Sequence, residues 1–369
     1  MTSTAHRFFD LVQTLGPAFR ERAAASDRDG RFAAENYAAL KEHRFFSAGV
    51  PQELGGGGAS HRELCELLRQ LSHFCSSTAL ALSMHTHLVA LSVWRHRHGQ
   101  PAEALLRKIA ASELVLVSTG AGDWVDSVGR AEKVEGGYRV NAVKRFCSAG
   151  PAGDLMVTSA PCDAEVLHFP VPLRSPGVTI RDDWDTLGMR ATGSHSIELK
   201  DVFVPDEAVV LKRPRGEWHP FWNAVVTMAP PIYLAPYVGA AERIADLARA
   251  AVKQKPLDPL QLLTLGELEN QLTLMHLAWH DMSAITNDYD VTPSVDSANR
   301  MLVRKTLATN AALAVATKAL ELAGGSALYR ATGIERLFRD LQGAPFHPLP
   351  EKKQLTFTGR IAAGLSPVG

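Results

Sequence analysis

Leu114-Val115-Leu116-Val117, Tyr138-Arg139-Val140, Leu155-Met156-Val157-Thr158, Val166-Leu167-His168-Phe169, Val178-Thr179-Ile180, Ser196-Ile197-Glu198-Leu199 and Val202-Phe203-Val204 crowd into residues 113–212. Each run is short and rich in β-branched or aromatic residues, and Pro, Gly and Asp separate them, which is the pattern of strands. Many short strands at close spacing predict a small β-sandwich or barrel. Glu135-Gly136-Gly137-Tyr138 reads as a hairpin turn, because paired glycines tolerate positive φ.

On both sides of this stretch the period becomes helical. Phe8, Leu11, Val12 and Leu15, then Leu64, Leu67, Leu68 and Leu71, recur at three- and four-residue steps within residues 1–112. Residues 213–369 carry three long helical segments: Val238–Val252, Leu262–Ile285 and Ala298–Leu322, the last stopped by Gly324-Gly325. The fold class expected is therefore α+β and mostly α: an N-terminal helical domain (1–112), a β module (113–212) and a C-terminal helical bundle (213–369). Gly55-Gly56-Gly57-Gly58 must be a loop, and with no Lys-Ser/Thr after it and no strand before it, it is a poor phosphate cradle.

Composition narrows the function. Of 369 residues, 39 are Lys or Arg and 39 Asp or Glu, so no global basic field invites nucleic acid or anionic lipid. Cys65, Cys75, Cys147 and Cys162 lack C-x-x-C spacing and read as free thiols of a reducing compartment, with no metal site implied. No membrane span and no signal-peptide layout are expected, which makes a cytoplasmic enzyme or binding protein the default.

Four motifs in order make the expectation specific. Val50-Pro51-Gln52-Glu53-Leu54-Gly55-Gly56, Arg145-Phe146-Cys147-Ser148-Ala149-Gly150, Leu187-Gly188-Met189-Arg190-Ala191-Thr192-Gly193-Ser194 with Asp201–Pro205, and Glu321-Leu322-Ala323-Gly324-Gly325 together resemble the acyl-CoA dehydrogenase superfamily. The resemblance spans about residues 35 to 350. It implies a helical domain, a β-sandwich or barrel and a four-helix bundle, a flavin (FAD or FMN) between sheet and bundle, and a homodimer or homotetramer. It places Phe146 and Ser148 at the flavin ring, Thr119, Gly120, Gly324 and Gly325 in contact with the flavin, and Lys255 at its pyrophosphate from a neighbouring subunit. Gly120-Ala121-Gly122-Asp123 is shorter than the family's Glu-Pro-Gly-x-Gly-Ser-Asp and lacks the serine that meets the CoA side.

The family's catalytic glutamate is missing from both of its usual places. The resemblance puts Pro348, preceded by His347, at one and Ala229, followed by Pro230, at the other. An α-proton cannot be removed from a thioester without a positioned base. The reduced-flavin-dependent monooxygenase branch of the superfamily resolves this, because its members carry histidines and a serine near the flavin. Phe146-Cys147-Ser148-Ala149-Gly150 resembles that branch's strand, and its two histidines would fall on His85 and His347. His85 and His87, two apart on a helix, point to different faces and do not make a shared metal site. The sequence thus predicts a flavin-dependent monooxygenase that takes reduced flavin from a separate reductase and acts on a small molecule. An acyl-CoA dehydrogenase with a displaced base, His347 or Glu351, and a non-catalytic flavin-binding homologue are the alternatives. Trp94, Trp222, Tyr233 and Trp279 could line an apolar pocket or the core.

Overall fold

The computed structural model describes residues 3–119, 125–253 and 256–369. Five helices come first: α1 (Ser3–Asp29), α2 (Ala34–Glu42), α3 (His61–Ser72), α4 (Ser76–Arg97) and α5 (Glu103–Ser112). Eight strands follow: β1 (Leu116–Ser118), β2 (Arg130–Val134), β3 (Gly137–Lys144), β4 (Leu155–Cys162), β5 (Glu165–Pro172), β6 (Val178–Ile180), β7 (Ile197–Pro205) and β8 (Leu211–Pro214). The chain then returns to helix: α6 (Phe221–Val252), α7 (Pro259–Thr286), α8 (Val295–Ala323), α9 (Ile334–Leu341) and α10 (Glu351–Ala362).

The strands form two four-stranded sheets, ordered β1-β4-β5-β8 and β2-β3-β7-β6. Only the β1–β4 pairing is parallel. Alternate residues of both sheets, among them Val140, Met156, Leu167, Phe169, Ile197 and Val202, point into one buried core, which is how two facing sheets remove apolar surface from water. The expected runs Ser196–Leu199 and Val202–Val204 are one strand, β7; Asp201 takes a positive φ of 55° where the register shifts against β3. The hairpin is as expected: Gly136 has φ +73°, and a Cβ on Gly137 would lie 2.3 Å from the Val204 carbonyl oxygen. β2 and β8 were not legible, since Arg130-Ala131-Glu132-Lys133-Val134 and Leu211-Lys212-Arg213-Pro214 are mostly polar edge strands.

The helices at the two ends of the chain share a second core, whose centre is α6. Its window of highest hydropathy is 94% buried, so its apolar length belongs to the protein interior. Pro230, Pro231 and Pro236 lie inside α6, where proline normally breaks a helix. Side chains from neighbouring helices meet carbonyls along that turn: His61 Nε2 lies 2.8 Å from Met228 O, Trp279 Nε1 donates to Pro231 O at 2.9 Å and the Ser72 hydroxyl donates to Pro236 O. Gly239 permits α3 to cross closely, because a Cβ there would sit 2.1 Å from Arg69 O. Side-chain caps fix other helix starts, with capping boxes at Ser60/Glu63 for α3 and Asp258/Gln261 for α7.

The glycine loop is explained without a ligand. The amides of Gly56, Gly57 and Gly58 donate to Pro51, Ser47 and Val50 carbonyls at 3.1, 3.0 and 2.8 Å, so none is turned outward toward a phosphate.

Candidate active site

The Leu187–Ser194 segment is a joint. A Cβ on Gly188 would lie 2.1 Å from Arg339 O, so glycine is needed for α9 to approach. The Met189 amide donates to buried Asp340, which also accepts from the Ser76 hydroxyl of α4. Arg339 reaches Asp27 of α1, Glu335 and the Leu187 carbonyl, while Arg190 donates to Asp27 O at 2.7 Å and to Asp185 at 2.8 Å. One loop thus fastens the β module to α1, α4 and α9. It sets where the turn after α9 lies, and His347 is on that turn.

His347 stacks on Tyr233 with ring centroids 4.9 Å apart and planes at 16°. Its Nε2 is 2.8 Å from the Tyr237 hydroxyl, and the Tyr233 hydroxyl donates to Pro348 O at 2.8 Å. Tyr233 and Tyr237 are four residues apart on α6 and so share a face. Burial holds both phenols well above the ordinary tyrosine range, so they remain protonated. Lys305 of α8, 1% exposed, donates to Leu349 O at 3.1 Å and lies 3.5 Å from Pro345 O. Loss of water, then the Lys305 charge, then His87 push the His347 imidazole down to about 3. His87 is pushed down to about 4 by burial and then by His85. No described residue hydrogen-bonds the His87 ring or His347 Nδ1, and neither ring meets a carboxylate. Ala229 lies in this part of α6, a buried methyl with no acid–base capacity.

His85 does not do what its sequence position suggested. The Leu116 amide donates to Nδ1 at 2.9 Å, so the proton is on Nε2, which donates to Phe46 O at 2.8 Å. Both nitrogens are spent on backbone and the residue is 1% exposed, so it ties α4 to β1 and to the loop after α2. The histidine of α4 that acts on His347 is His87. Spacing alone could say that His85 and His87 point to different faces, but not which of them meets His347.

Ser148 lies between β3 and β4, next to Phe146 and Ala149, both with φ of 59°. Its buried hydroxyl is 2.8 Å from the Ser194 hydroxyl, which is 2.7 Å from that of Thr192. Thr192 donates to Met189 O at 2.9 Å. A carbonyl can only accept, so the chain has one direction: Ser148 donates to Ser194 and Ser194 to Thr192. The Ser148 oxygen is left as an acceptor. Phe146 is not a core residue; it is 62% exposed and meets Trp184 edge-on at 6.1 Å between centroids. Thr119 follows β1 directly. Gly324 and Gly325 are exposed at the end of α8 with open space around them. Gly120 and Lys255 lie outside the described residues. Of the four aromatics expected in a pocket or the core, Trp94, Trp222 and Trp279 are core, and Tyr233, also buried, stacks on His347.

A second histidine cluster lies farther along α6. Glu242 accepts from His73 Nε2 at 2.6 Å, His276 Nε2 at 2.8 Å and Arg69 at 2.7 Å. Burial opposes its charge, but the His276 and His73 hydrogen bonds and the Arg69 guanidinium prevail and hold it well below the usual carboxylate range.

Residues 10–113 match the N-terminal domain of acyl-CoA dehydrogenase and residues 232–349 its C-terminal domain. The chain belongs to the acyl-CoA dehydrogenase family. It is a flavin-dependent oxidoreductase of that family. An amino sugar nitrososynthase of Streptomyces peucetius is 27% identical over 98% of this chain and 94% of its own length. A dibenzothiophene monooxygenase of Mycolicibacterium goodii is 26% identical over 92% of this chain and 89% of its own length. A solved structure of KijD3, in complex with FMN and an amino-sugar nucleotide (dTDP-3-amino-2,3,6-trideoxy-4-keto-3-methyl-D-glucose), superposes with a TM-score of 0.89 at 26% identity, covering 99% of this chain and 95% of that one. The residues here fit a flavin: an uncovered aromatic at a strained backbone position stands beside a buried serine oxygen whose accepting side is unused.

Proposed function

We propose that this chain is a monooxygenase that uses reduced flavin and O2 on a small organic substrate. The observation that carries the reading is the cluster around His347, where two neutral imidazoles and two phenols stand and no described carboxylate meets either ring. Bound reduced flavin would supply the electrons that O2 requires. Phe146 would lie against its ring, and the one-way hydroxyl chain makes Ser148 an acceptor, which suits an N–H of the reduced ring rather than a bare nitrogen. His347 and Tyr237 share one hydrogen bond, so either can hold the proton at that contact and pass it to a reacting oxygen. His87 offers a second unpaired ring. Tyr233 stacks over one face of the His347 ring and shields that face from water.

The dehydrogenase alternative asks His347 to be a base. An imidazole pushed down to about 3 is too weak to take an α-proton near neutrality, because the best base has a value near the working pH. As a hydrogen-bond partner and proton relay the same neutral ring is well suited.

In this scheme a separate reductase would deliver the reduced flavin. A homodimer or homotetramer is the quaternary form we favour: Leu260, Leu263, Leu274 and Leu277 leave an apolar stripe exposed along α7 and Leu307 another on α8. Gly324, Gly325 and Lys255 would then hold the flavin's phosphate end from a neighbouring copy.

Protein supplied with chemically reduced FMN or FAD, labelled oxygen gas and a panel including dibenzothiophene, indole and an amino-sugar nucleotide should place one labelled oxygen in a product. Anaerobic bleaching of bound oxidised flavin by acyl-CoA thioesters, with no label incorporated from any of these substrates, would replace the reading with a dehydrogenase.

A further inference from the structure

Lys305 is a buried cation that the mechanism above does not use. It is 1% exposed, it stands on α8, and its ammonium spans the turn that carries His347, from Pro345 O to Leu349 O. Burying an ammonium is costly, and two backbone carbonyls could be satisfied by a neutral donor without that cost. The charge therefore calls for a role of its own. The described groups that act on the His347 ring are Tyr233 and Tyr237 from α6, His87 from α4 and Lys305 from α8; Asp340 at the end of α9 acts on Tyr237, and Glu351 at the start of α10 on Lys305. Asp340 is engaged by Ser76 and the Met189 amide, and Glu351 acts on Lys305, whose charge it favours. Lys305 is thus the charge that acts on the imidazole near neutrality.

We infer that Lys305 is a positioning residue for His347: its ammonium latches both ends of the turn, and its charge opposes a second cation on the ring, keeping the imidazole in the neutral form that meets the ligand. The inference rests on the reading of His347 as a site residue. Three clasps then hold one short turn. Tyr233 donates to Pro348 O, Lys305 to Leu349 O, and Tyr237 meets the imidazole itself. Burial lowers the Lys305 ammonium to about 8. The sign follows: the cation is present below that value and is lost above it.

The test follows the His347 ring by NMR in the full-length protein, together with amide exchange at Phe346, His347 and Leu349. In the wild type the ring should take up its proton only near pH 3. In Lys305→Gln, which keeps a donor and removes the charge, its titration midpoint should move up by about one unit. Lys305→Arg should follow the wild type. A merely structural lysine would leave the ring's titration unchanged, so coincident wild-type and Lys305→Gln curves overturn the charge role. A second measurement needs no variant. Amide protection in the turn, corrected for intrinsic exchange, should fall by about tenfold as pH rises through the lysine's transition near 8. Protection that stays level from below to above that pH overturns the latch. Full activity in His347→Ala would remove the site reading beneath this one. An inactive His347→Ala with an unmoved Lys305→Gln titration would remove only the role of Lys305.

Discussion

Helix α6 carries a histidine cluster on each side of Gly239, and the two are built on opposite plans. Toward its C-terminal end, Glu242 gathers His73, His276 and Arg69, each of them within 2.8 Å. Toward its N-terminal half, Tyr233 and Tyr237 hold His347, with His87 nearby and a cation, Lys305, in place of any carboxylate. The first arrangement spends hydrogen bonds on joining α3, α6 and α7. The second leaves a ring and a ring nitrogen without protein partners among the described residues, on two half-buried histidines, and so open to a ligand. This contrast is why we propose chemistry for the cluster that lacks its counter-charge and stability for the one that has it.

The sharpest way to break this comparison is to exchange its two predicted outcomes. His347→Ala should lower turnover at least about a hundredfold, near 3 kcal/mol of barrier, with little change in melting. Glu242→Gln should leave turnover within about twofold and cost about 2 kcal/mol of stability, because three donors lose a charged acceptor at a partly shielded site. Steady-state rates and denaturant melts on both variants decide it. An inactive Glu242→Gln enzyme that melts like the wild type would reverse the assignment.

The pH dependence of stability separates His85 from a catalytic role. Its folded imidazole is pushed down to about 4, chiefly by burial, from an ordinary value of 6.5. Between those values the unfolded chain binds the extra proton and the folded chain does not, so stability is full above about pH 6.5 and declines as pH falls toward 4. His85 alone would account for about 3 kcal/mol when fully titrated. Chemical denaturation across that window should show the decline, and His85→Gln should flatten part of it. A wild-type stability independent of pH there would mean the ring is not held neutral by its two backbone bonds.

How much of this could be read from the residues depends on whether local pattern or tertiary contact decides it. The period change at residues 113–212 is local, and it located the sheets. Polar edge strands β2 and β8 gave no such pattern. The 32-residue α6 was only half legible, because Pro230, Pro231 and Pro236 argue against helix until His61, Ser72 and Trp279 are brought alongside. At the site, Phe346-His347-Pro348 and Ala229-Pro230 drew attention to His347 and to this part of α6, and the structure sets His347 against Tyr233 and Tyr237 of that helix. The choice between His85 and His87 was not legible, since it turns on where the Leu116 amide and Phe46 carbonyl come to lie. Lys305, forty-two residues before His347 in the chain, carries no motif. Only packing makes it a neighbour.

The smallest expected effect probes the hydrogen bond that the two plans do not share. In the Glu242 cluster the imidazoles face a charge, so each bond is charge-assisted. The Tyr237–His347 bond is between neutral groups at 2.8 Å. Its loss should therefore cost less, about 1 kcal/mol, which is roughly a fivefold to tenfold effect. Tyr237→Phe keeps the ring edge that packs on His347 and removes only the hydroxyl. If the bond serves mainly to aim the imidazole, that variant should lower turnover about tenfold at unchanged substrate KM, and Tyr233, still stacked on His347, should preserve the rest. If instead Tyr237 is the proton's route, the deficit should deepen as pH rises, because protons from solvent become scarcer. A pH-independent tenfold loss supports aiming. A loss that grows with pH moves Tyr237 from holding His347 to sharing its proton, and an unchanged rate at every pH would remove the phenol from the site.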